Sequence, residues 1–126
     1  MIFGAHLLFY SENPEADRTF FRDVLGFRNV DAGEGWLIFA LPPAEAAFHP
    51  SDGHANQARG GRELGAVLYL MCEDLAATIK SLQAKKVVCS PVEKARWGSK
   101  TSFRLPGGGE IGLYQPSHPM AIKKTR

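Results

Sequence analysis

A chain of 126 residues is long enough to bury one hydrophobic core and too short for separate cofactor and substrate domains, so we expect a single domain. The formal net charge of +2 is too small to indicate a basic surface for nucleic-acid binding, and no apolar stretch is long enough to cross a bilayer. Because the N-terminus also lacks the pattern of a secretory signal, the sequence predicts a cytoplasmic protein that binds neither nucleic acid nor membrane.

The first ten residues predict a buried strand. Residues 2–10 are apolar or aromatic, and His6 is their only strongly polar side chain. Since side chains alternate along a strand, His6, Leu8 and Tyr10 would share one face. From the residues alone, His6 is either a pocket residue or a core histidine whose ring nitrogens are satisfied.

A helix is predicted to follow this strand. Asn13 precedes Pro14, which favours a helix start because the asparagine side chain caps free N–H groups and proline suits the first helical position. Apolar residues continue at helical spacing through Leu25, and Gly26 can adopt the left-handed conformation that ends a helix.

The remainder of the first half predicts short strands and a linker. Strands are expected over residues 27–30, 36–41 and 45–49, the last of them closed by Pro50. Residues 51–62 contain glycines and small polar side chains without an apolar period, which is typical of a linker.

The second half repeats this order. A strand over 66–72 precedes a helix capped by Asp74, and more strands are expected over 87–89, 101–105 and 110–114, with a long loop over 90–100. The segment LPPAEAAFHP late in the first half is echoed by LPGGGEIGLYQP late in the second. These matches indicate an internal duplication of roughly 60 residues.

The segment HLLFYSENPEADRTFFRDVLGF resembles the opening of a module of the vicinal oxygen chelate superfamily, which includes glyoxalase I, bleomycin-resistance proteins and extradiol dioxygenases. YLMCEDLAATIKSLQAKKV resembles the opening of a second module, and WGSKTSFRLPGGGEIGLYQP resembles its close. The resemblance implies an α+β fold in which two tandem βαβββ modules form a curved mixed sheet around one pocket. It places module one at 1–50, the linker at 51–62, module two at 63–119 and a C-terminal tail at 120–126, and it implies a homodimer.

The metal-dependent members of this superfamily carry their ligands on the first and last strands of each module. His6 matches the histidine of the first strand, but the corresponding position of module two is Val67. The last-strand positions, where glutamate is usual, are Ala47 and Gly112. The standard ligand set is therefore not present in this chain.

Alternation along the strands places other polar side chains on the pocket face. If Ala47 faces the pocket then Glu45 and His49 do so too, and the same holds for Glu110 and Tyr114 on either side of Gly112. The predicted metal ligands are His6, His49 and Glu110, an open arrangement that would suit iron, manganese, zinc or nickel. His49 and Glu110 each lie two residues along the strand from a standard ligand position, a distance of about 6.5 Å. A metal bound by them would therefore be displaced from the position of the metal in the standard site.

The other predicted site residues surround these ligands. Glu45 is a candidate base, and Tyr69 or Tyr114 is a candidate acid or orienting hydroxyl. The positions expected to contact a small-molecule ligand or substrate are Tyr10, Trp36, Val67, Met71, Trp97, Phe103 and Gly112. Each of these residues also has a purely structural interpretation. Glu45 and Glu110 follow turns, where carboxylates are commonly solvated, and tyrosines at strand spacing can be core aromatics. Trp97 can cover the pocket as a lid or only anchor its loop.

Three classes of function remain open. A metal-dependent lyase, isomerase or ring-cleaving dioxygenase would use its metal as a Lewis acid on a small oxygenated substrate. A metal-free protein resembling the bleomycin-resistance members would instead hold a flat small molecule in an aromatic groove. A structural module would retain only dimerisation and a relic pocket. Loss of two standard ligand positions favours binding, and retention of His6 with His49 favours an altered enzyme.

Overall fold

The computed structural model describes residues 1–50 and 64–122, which contain two helices and six strands. In chain order these elements are α1 (Pro14–Asp23), β1 (Asn29–Asp31), β2 (Leu37–Phe39), β3 (Tyr69–Met71), α2 (Leu75–Ala84), β4 (Glu93–Ala95), β5 (Gly98–Arg104) and β6 (Glu110–Pro116). The predicted linker and residues 123–126 of the predicted tail lie outside the described residues. Neither described helix has the length and apolar character needed to cross a membrane.

The chain divides into two compact units. The first comprises Met1–Ala40 with Arg104–Glu110, and the second comprises Leu41–Phe103 with Ile111–Arg126. These units do not coincide with the predicted modules, because residues 41–50 belong to the second unit and residues 104–110 to the first. The predicted organisation as one domain of two modules stays a prediction.

In the first unit, α1 begins where the sequence predicts. The Asn13 side chain accepts a hydrogen bond from the Ala16 amide at 3.2 Å, and Pro14 is the first helical residue. After the helix, Gly26 has a φ of +72°, a left-handed conformation that glycine adopts without a steric penalty. Local sequence chemistry therefore determines both ends of this segment.

Phe21 is the buried side chain of α1 and the centre of a small aromatic core. Its ring centroid lies 5.4 Å from that of Phe39 on β2, 5.5 Å from that of Phe27 and 6.4 Å from that of Phe9. β1 and β2 pair antiparallel as a two-stranded ribbon. Ring contacts of this kind contribute about 0.5–1.5 kcal/mol each beyond the burial of apolar area.

Two strands predicted for the first half are not formed. Within the described part of the chain, residues 1–10 and 45–49 have no strand structure, and Phe3 and Leu8 are exposed. A strand needs a neighbouring strand to satisfy its backbone groups, and the apolar pattern behind the prediction says nothing about that neighbour. Prolines, which lack an N–H donor, lie near both ends of this segment, at Pro43 and Pro50.

The second unit contributes most of a four-stranded mixed sheet with the order β3, β6, β5, β4. β3 and β6 are parallel, with Tyr69 opposite Gly112 and Met71 opposite Tyr114. β4 and β5 form an antiparallel hairpin that pairs Glu93 with Lys100. The chain order β3, α2, β4, β5, β6 is the βαβββ order that the resemblance implies.

The hairpin corrects two predictions. β4 lies inside the segment predicted as a loop, 90–100, and no described residue of 87–89 belongs to a strand. The polar residues of β4 have no apolar alternation, so their pattern could not reveal a strand. The hairpin also depends on Gly98, which has a φ of +152°. A residue with a Cβ would not fit at this position, because that atom would lie 3.1 Å from the carbonyl carbon of Gln115.

Helix α2 and the long strands supply the core of the second unit. The Asp74 side chain accepts a hydrogen bond from the Ala77 amide at 3.0 Å, so the predicted cap is confirmed. The Leu75 amide, another free donor of the first turn, is satisfied by Oε1 of Gln115 on β6 at 2.9 Å. The buried apolar side chains of this unit are Leu75, Leu82, Val87, Phe103, Ile111, Leu113 and Tyr114.

Candidate functional site

Three of the predicted site residues meet in the second unit. Tyr69 on β3, Tyr114 on β6 and Trp97 in the turn between β4 and β5 form what we call the aromatic cluster. Their ring centroids lie 5.0–5.6 Å apart and their planes cross at 78–84°, so each pair is edge to face. Strand pairing places the two tyrosines on adjacent strands, and alternation along β3 and β6 places both on the face of the sheet that Gly112 occupies.

The Tyr69 ring lies on Gly112. These residues face each other in the parallel pairing of β3 with β6. A Cβ added to Gly112 would lie 2.9 Å from Cγ of Tyr69 and closer still to two other ring carbons, which real Cβ atoms essentially never do. At the position where the resemblance expects a metal-binding glutamate, a tyrosine ring therefore occupies the space of the side chain.

His118 extends the aromatic cluster on the side of Tyr114. The two rings are stacked, with centroids 5.9 Å apart and planes 25° from parallel. The Tyr114 hydroxyl is 3.0 Å from Nε2 of His118, and Nδ1 of the same ring is 2.8 Å from the Pro119 carbonyl oxygen. Both ring nitrogens of His118 thus have hydrogen-bond partners.

Glu45, the predicted base, lies beside His118. Its Oε2 is 3.8 Å from Nε2 of His118, while its Oε1 accepts hydrogen bonds from the Ala121 amide at 2.8 Å and the Ile122 amide at 3.4 Å. Burial raises the pKa of the Tyr114 hydroxyl, and the Glu45 carboxylate raises it further. Tyr114 is therefore a neutral hydroxyl at ordinary pH.

Hydrogen bonds hold Trp97 in the aromatic cluster. The Ser117 amide donates to the Trp97 carbonyl oxygen at 2.8 Å, and the Ser117 hydroxyl donates to the Arg96 carbonyl oxygen at 3.1 Å. Nζ of Lys100 lies 5.4 Å from the Trp97 ring centroid, within range of a cation–π contact. The ring remains half-buried, so part of its surface is open to solvent.

Met71 lies opposite Tyr114 in the pairing of β3 with β6, and the remaining predicted contact residues differ in burial. Phe103 is only 2% exposed and belongs to the core, whereas Val67 is 70% exposed. Tyr10 and Trp36 are exposed and belong to the first unit, where Cζ of Arg18 lies 4.3 Å from the Trp36 ring centroid. Their predicted roles in ligand contact stay predictions.

The proposed metal ligands are divided between the two units. His6 and Glu110 belong to the first unit and His49 to the second, and all three are exposed. Within residues 1–50 and 64–122, no group of three or more His, Cys, Asp or Glu side chains could hold a metal ion. The assignment of these three ligands stays a prediction.

Sequence reasoning did not identify His118. This residue follows Pro116, where β6 ends, and it belongs to no strand or helix of the described chain. Its only sequence signal is the spacing of four residues from Tyr114. This spacing does not predict a contact, because the stacking of His118 on Tyr114 depends on the path of the chain after β6.

A separate open groove of about 500 Å³ lies in the first unit. It contains none of the predicted site residues; its lining residues are Asn13, Glu15, Ala16, Thr19, Phe20, Asp23, Val24 and Pro106. The aromatic cluster and its polar neighbours His118, Glu45 and Lys100 all lie in the second unit, which therefore contains the better candidate site.

Comparisons with solved structures find full-length similarity. The antibiotic-binding protein TnmS3 from Streptomyces sp. CB03234 is 25% identical, with 93% of this chain and 99% of that chain covered and a TM-score of 0.60. Lactoylglutathione lyase from Agrobacterium tumefaciens is 17% identical (85% and 88% covered, TM-score 0.57). A glyoxalase/bleomycin resistance protein from Streptomyces sp. CB03234 is 23% identical (83% and 93% covered, TM-score 0.54). No protein-family model and no curated protein matches the chain.

Proposed function

We propose that this chain, which has the α+β fold of the glyoxalase/bleomycin-resistance/dioxygenase superfamily, is a protein that binds a flat organic molecule on its aromatic cluster. The fold hosts both enzymes and binding proteins, so the choice between them depends on the site and not on the fold.

The observation that carries the proposal is the contact between Tyr69 and Gly112. In the parallel register Tyr69 lies opposite Gly112, the position at which the resemblance implies a metal-binding glutamate, and the tyrosine ring fills the space of a side chain there. A ring in this place provides apolar contact area and a π face, whereas it cannot ligate a metal through carbon atoms. The replacement therefore favours a stacking surface over a metal centre.

The polar groups beside the aromatic cluster fit the same function. Small-molecule sites are mostly apolar, with a few placed polar groups that orient the ligand. Here the neutral Tyr114 hydroxyl and the His118 imidazole lie at one side of the cluster, and the Lys100 ammonium lies over the Trp97 ring. Similarity to an antibiotic-binding protein over nearly the whole chain supports this proposal.

The test uses the two tryptophans as reporters. In ¹⁵N-labelled protein, we expect added coumarin or indole to shift the indole N–H signal of Trp97 saturably, with a dissociation constant on the order of a millimolar for such small ligands. The signal of Trp36, in the first unit, should stay in place. A Trp36→Phe variant assigns the two signals.

A matched pair of variants locates the binding surface. Tyr69→Leu retains apolar bulk but removes the ring, and it should weaken binding of both probes by about threefold or more. Val88→Leu, a change at an exposed apolar residue of the same unit, should leave binding unchanged. If the Trp97 signal does not respond, or if Tyr69→Leu binds as tightly as the natural chain, the proposed function is wrong.

We also propose that the protein forms a homodimer, as the resemblance implies. Exposed apolar side chains of the N-terminal segment support this proposal: Met1, Ile2, Phe3, Leu7, Leu8, Phe9 and Tyr10. Exposed apolar side chains that are concentrated in one segment are typical of interaction sites.

A further inference from the structure

The protonation state of His118 is linked to the direction of its hydrogen bonds. Nδ1 is 2.8 Å from the Pro119 carbonyl oxygen, which can only accept, so Nδ1 carries a proton. In the neutral imidazole, Nε2 then has no proton and is an acceptor. The Tyr114 hydroxyl, 3.0 Å away, must donate to it.

When His118 is neutral, the Tyr114 hydroxyl donates its only proton to Nε2 of His118. The oxygen retains lone-pair capacity, so toward a bound ligand Tyr114 can act only as a hydrogen-bond acceptor. A ligand that presents an N–H or O–H group would be satisfied there. A ligand that presents only a carbonyl oxygen would face an acceptor and lose that hydrogen bond.

Protonation of His118 reverses this arrangement. Nε2 then carries a proton and donates to the Tyr114 oxygen, and the tyrosine proton is free to point toward a ligand. Oε2 of Glu45 lies 3.8 Å from Nε2, so a carboxylate stands next to the positive charge that forms. The titratable groups that contact His118 from other parts of the unit are Tyr114 on β6 and Glu45 in the segment before residue 50.

We infer that His118 is a specificity-determining residue that sets the hydrogen-bond polarity of the aromatic cluster through Tyr114. With His118 neutral the site favours flat ligands that present a donor group, and with His118 protonated it favours flat ligands that present a carbonyl group. This inference rests on the proposed function. Tyr114 suits the role because the raised pKa of its hydroxyl keeps the proton on the tyrosine throughout.

The experiment compares two flat bicyclic probes that do not ionise between pH 5 and pH 8. Indole offers an N–H donor and no oxygen acceptor, and coumarin offers oxygen acceptors and no donor. Dissociation constants are measured for both at pH 8 and pH 5 from the Trp97 signal. We expect the preference for coumarin over indole to rise about three- to tenfold on acidification, the change that one hydrogen bond produces.

His118→Phe is the decisive variant, because it retains a ring that can stack on Tyr114 but has no nitrogen atoms. It should bind both probes with a preference that does not change with pH. Circular dichroism at both pH values verifies that each variant is folded.

The outcomes separate this inference from the proposed function. If both probes bind but the preference is the same at pH 8 and pH 5, the role of His118 is refuted while the binding function stands. A pH-dependent preference that persists in His118→Phe also refutes it. If neither probe binds at either pH, the proposed function fails, and this inference fails with it.

Discussion

At the scale of single residues, the aromatic cluster depends on one glycine. Gly112→Ala should destabilise the protein by about 1–3 kcal/mol, because the new methyl group would enter the Tyr69 ring and force it away. Urea unfolding measures this cost. Gly109→Ala is the control, since nothing lies within 4 Å of a Cβ at that position. Equal midpoints for the two variants would contradict the placement of Tyr69 on Gly112.

Tyr114 gives a second prediction at this scale. Its pKa is raised in the folded protein, first by burial and then by Glu45, so the folded state retains this proton at pH values where the unfolded chain has lost it. The free energy of unfolding should therefore fall as the pH rises above 10 and through the folded pKa. Unfolding measured from pH 9 to pH 11.5 should show a steeper loss than in Tyr114→Phe, and identical slopes would refute this assignment.

The predicted metal ligands separate the two leading hypotheses at the same scale. If the protein is the binding protein proposed above, iron, manganese, zinc and nickel should each remain far below one equivalent after loading and desalting, as measured by elemental analysis. A centre built from His6, His49 and Glu110 would instead retain about one equivalent, because three protein ligands bind such ions tightly. Near-stoichiometric metal that is lost in both His6→Ala and His49→Ala would overturn the proposal.

At the scale of secondary-structure elements, the helices depend on local caps. Asp74→Ala should cost about 1 kcal/mol, because the Ala77 amide loses its acceptor at the start of α2. Chemical denaturation detects this loss. Glu73→Ala, at the preceding exposed position, should have an effect near zero. A cost at residue 73 equal to that at residue 74 would show that charge, and not capping, stabilises the helix start.

These caps also explain which elements could be predicted from the sequence. Asn13 and Asp74 act on amides three residues away, so the chain order alone contains the information. β4 depends on pairing with β5 across a tight turn at Gly98, and its polar residues give no periodic signal. The strand predicted over residues 2–10 fails for the opposite reason, since its apolar pattern is clear but no described strand pairs with it.

The same distinction applies to the candidate site: contacts that follow from strand alternation were predictable, and contacts that depend on the path of the chain were not. Tyr69 and Tyr114 meet because they alternate onto one face of neighbouring strands, a rule that the sequence obeys. The contact of His118 with Tyr114 depends on how the chain continues after Pro116, which no period encodes. The role of Gly112 was also hidden, because a missing side chain does not reveal which neighbour fills its space.

At the scale of the whole molecule, the exposed N-terminal segment raises the question of assembly. Phe3, Leu8 and Phe9 are 102%, 71% and 50% exposed, and such apolar surface is costly to leave in water. In a homodimer this segment could also gain the strand neighbour that residues 1–10 lack in the described chain. Sedimentation velocity should therefore show a dimer at micromolar concentration.

Substitutions in this segment test where the dimer is formed. Leu8→Asp should shift the protein toward monomer and raise the dissociation constant by about tenfold or more, because a charge replaces an apolar side chain that the partner would bury. Val88→Asp, at an apolar residue that is 85% exposed in the second unit, serves as the control and should remain dimeric. A natural chain that sediments as a monomer would refute the dimer. A dimer that tolerates Leu8→Asp but not Val88→Asp would place the interface elsewhere, and the exposure of residues 1–10 would then require another explanation.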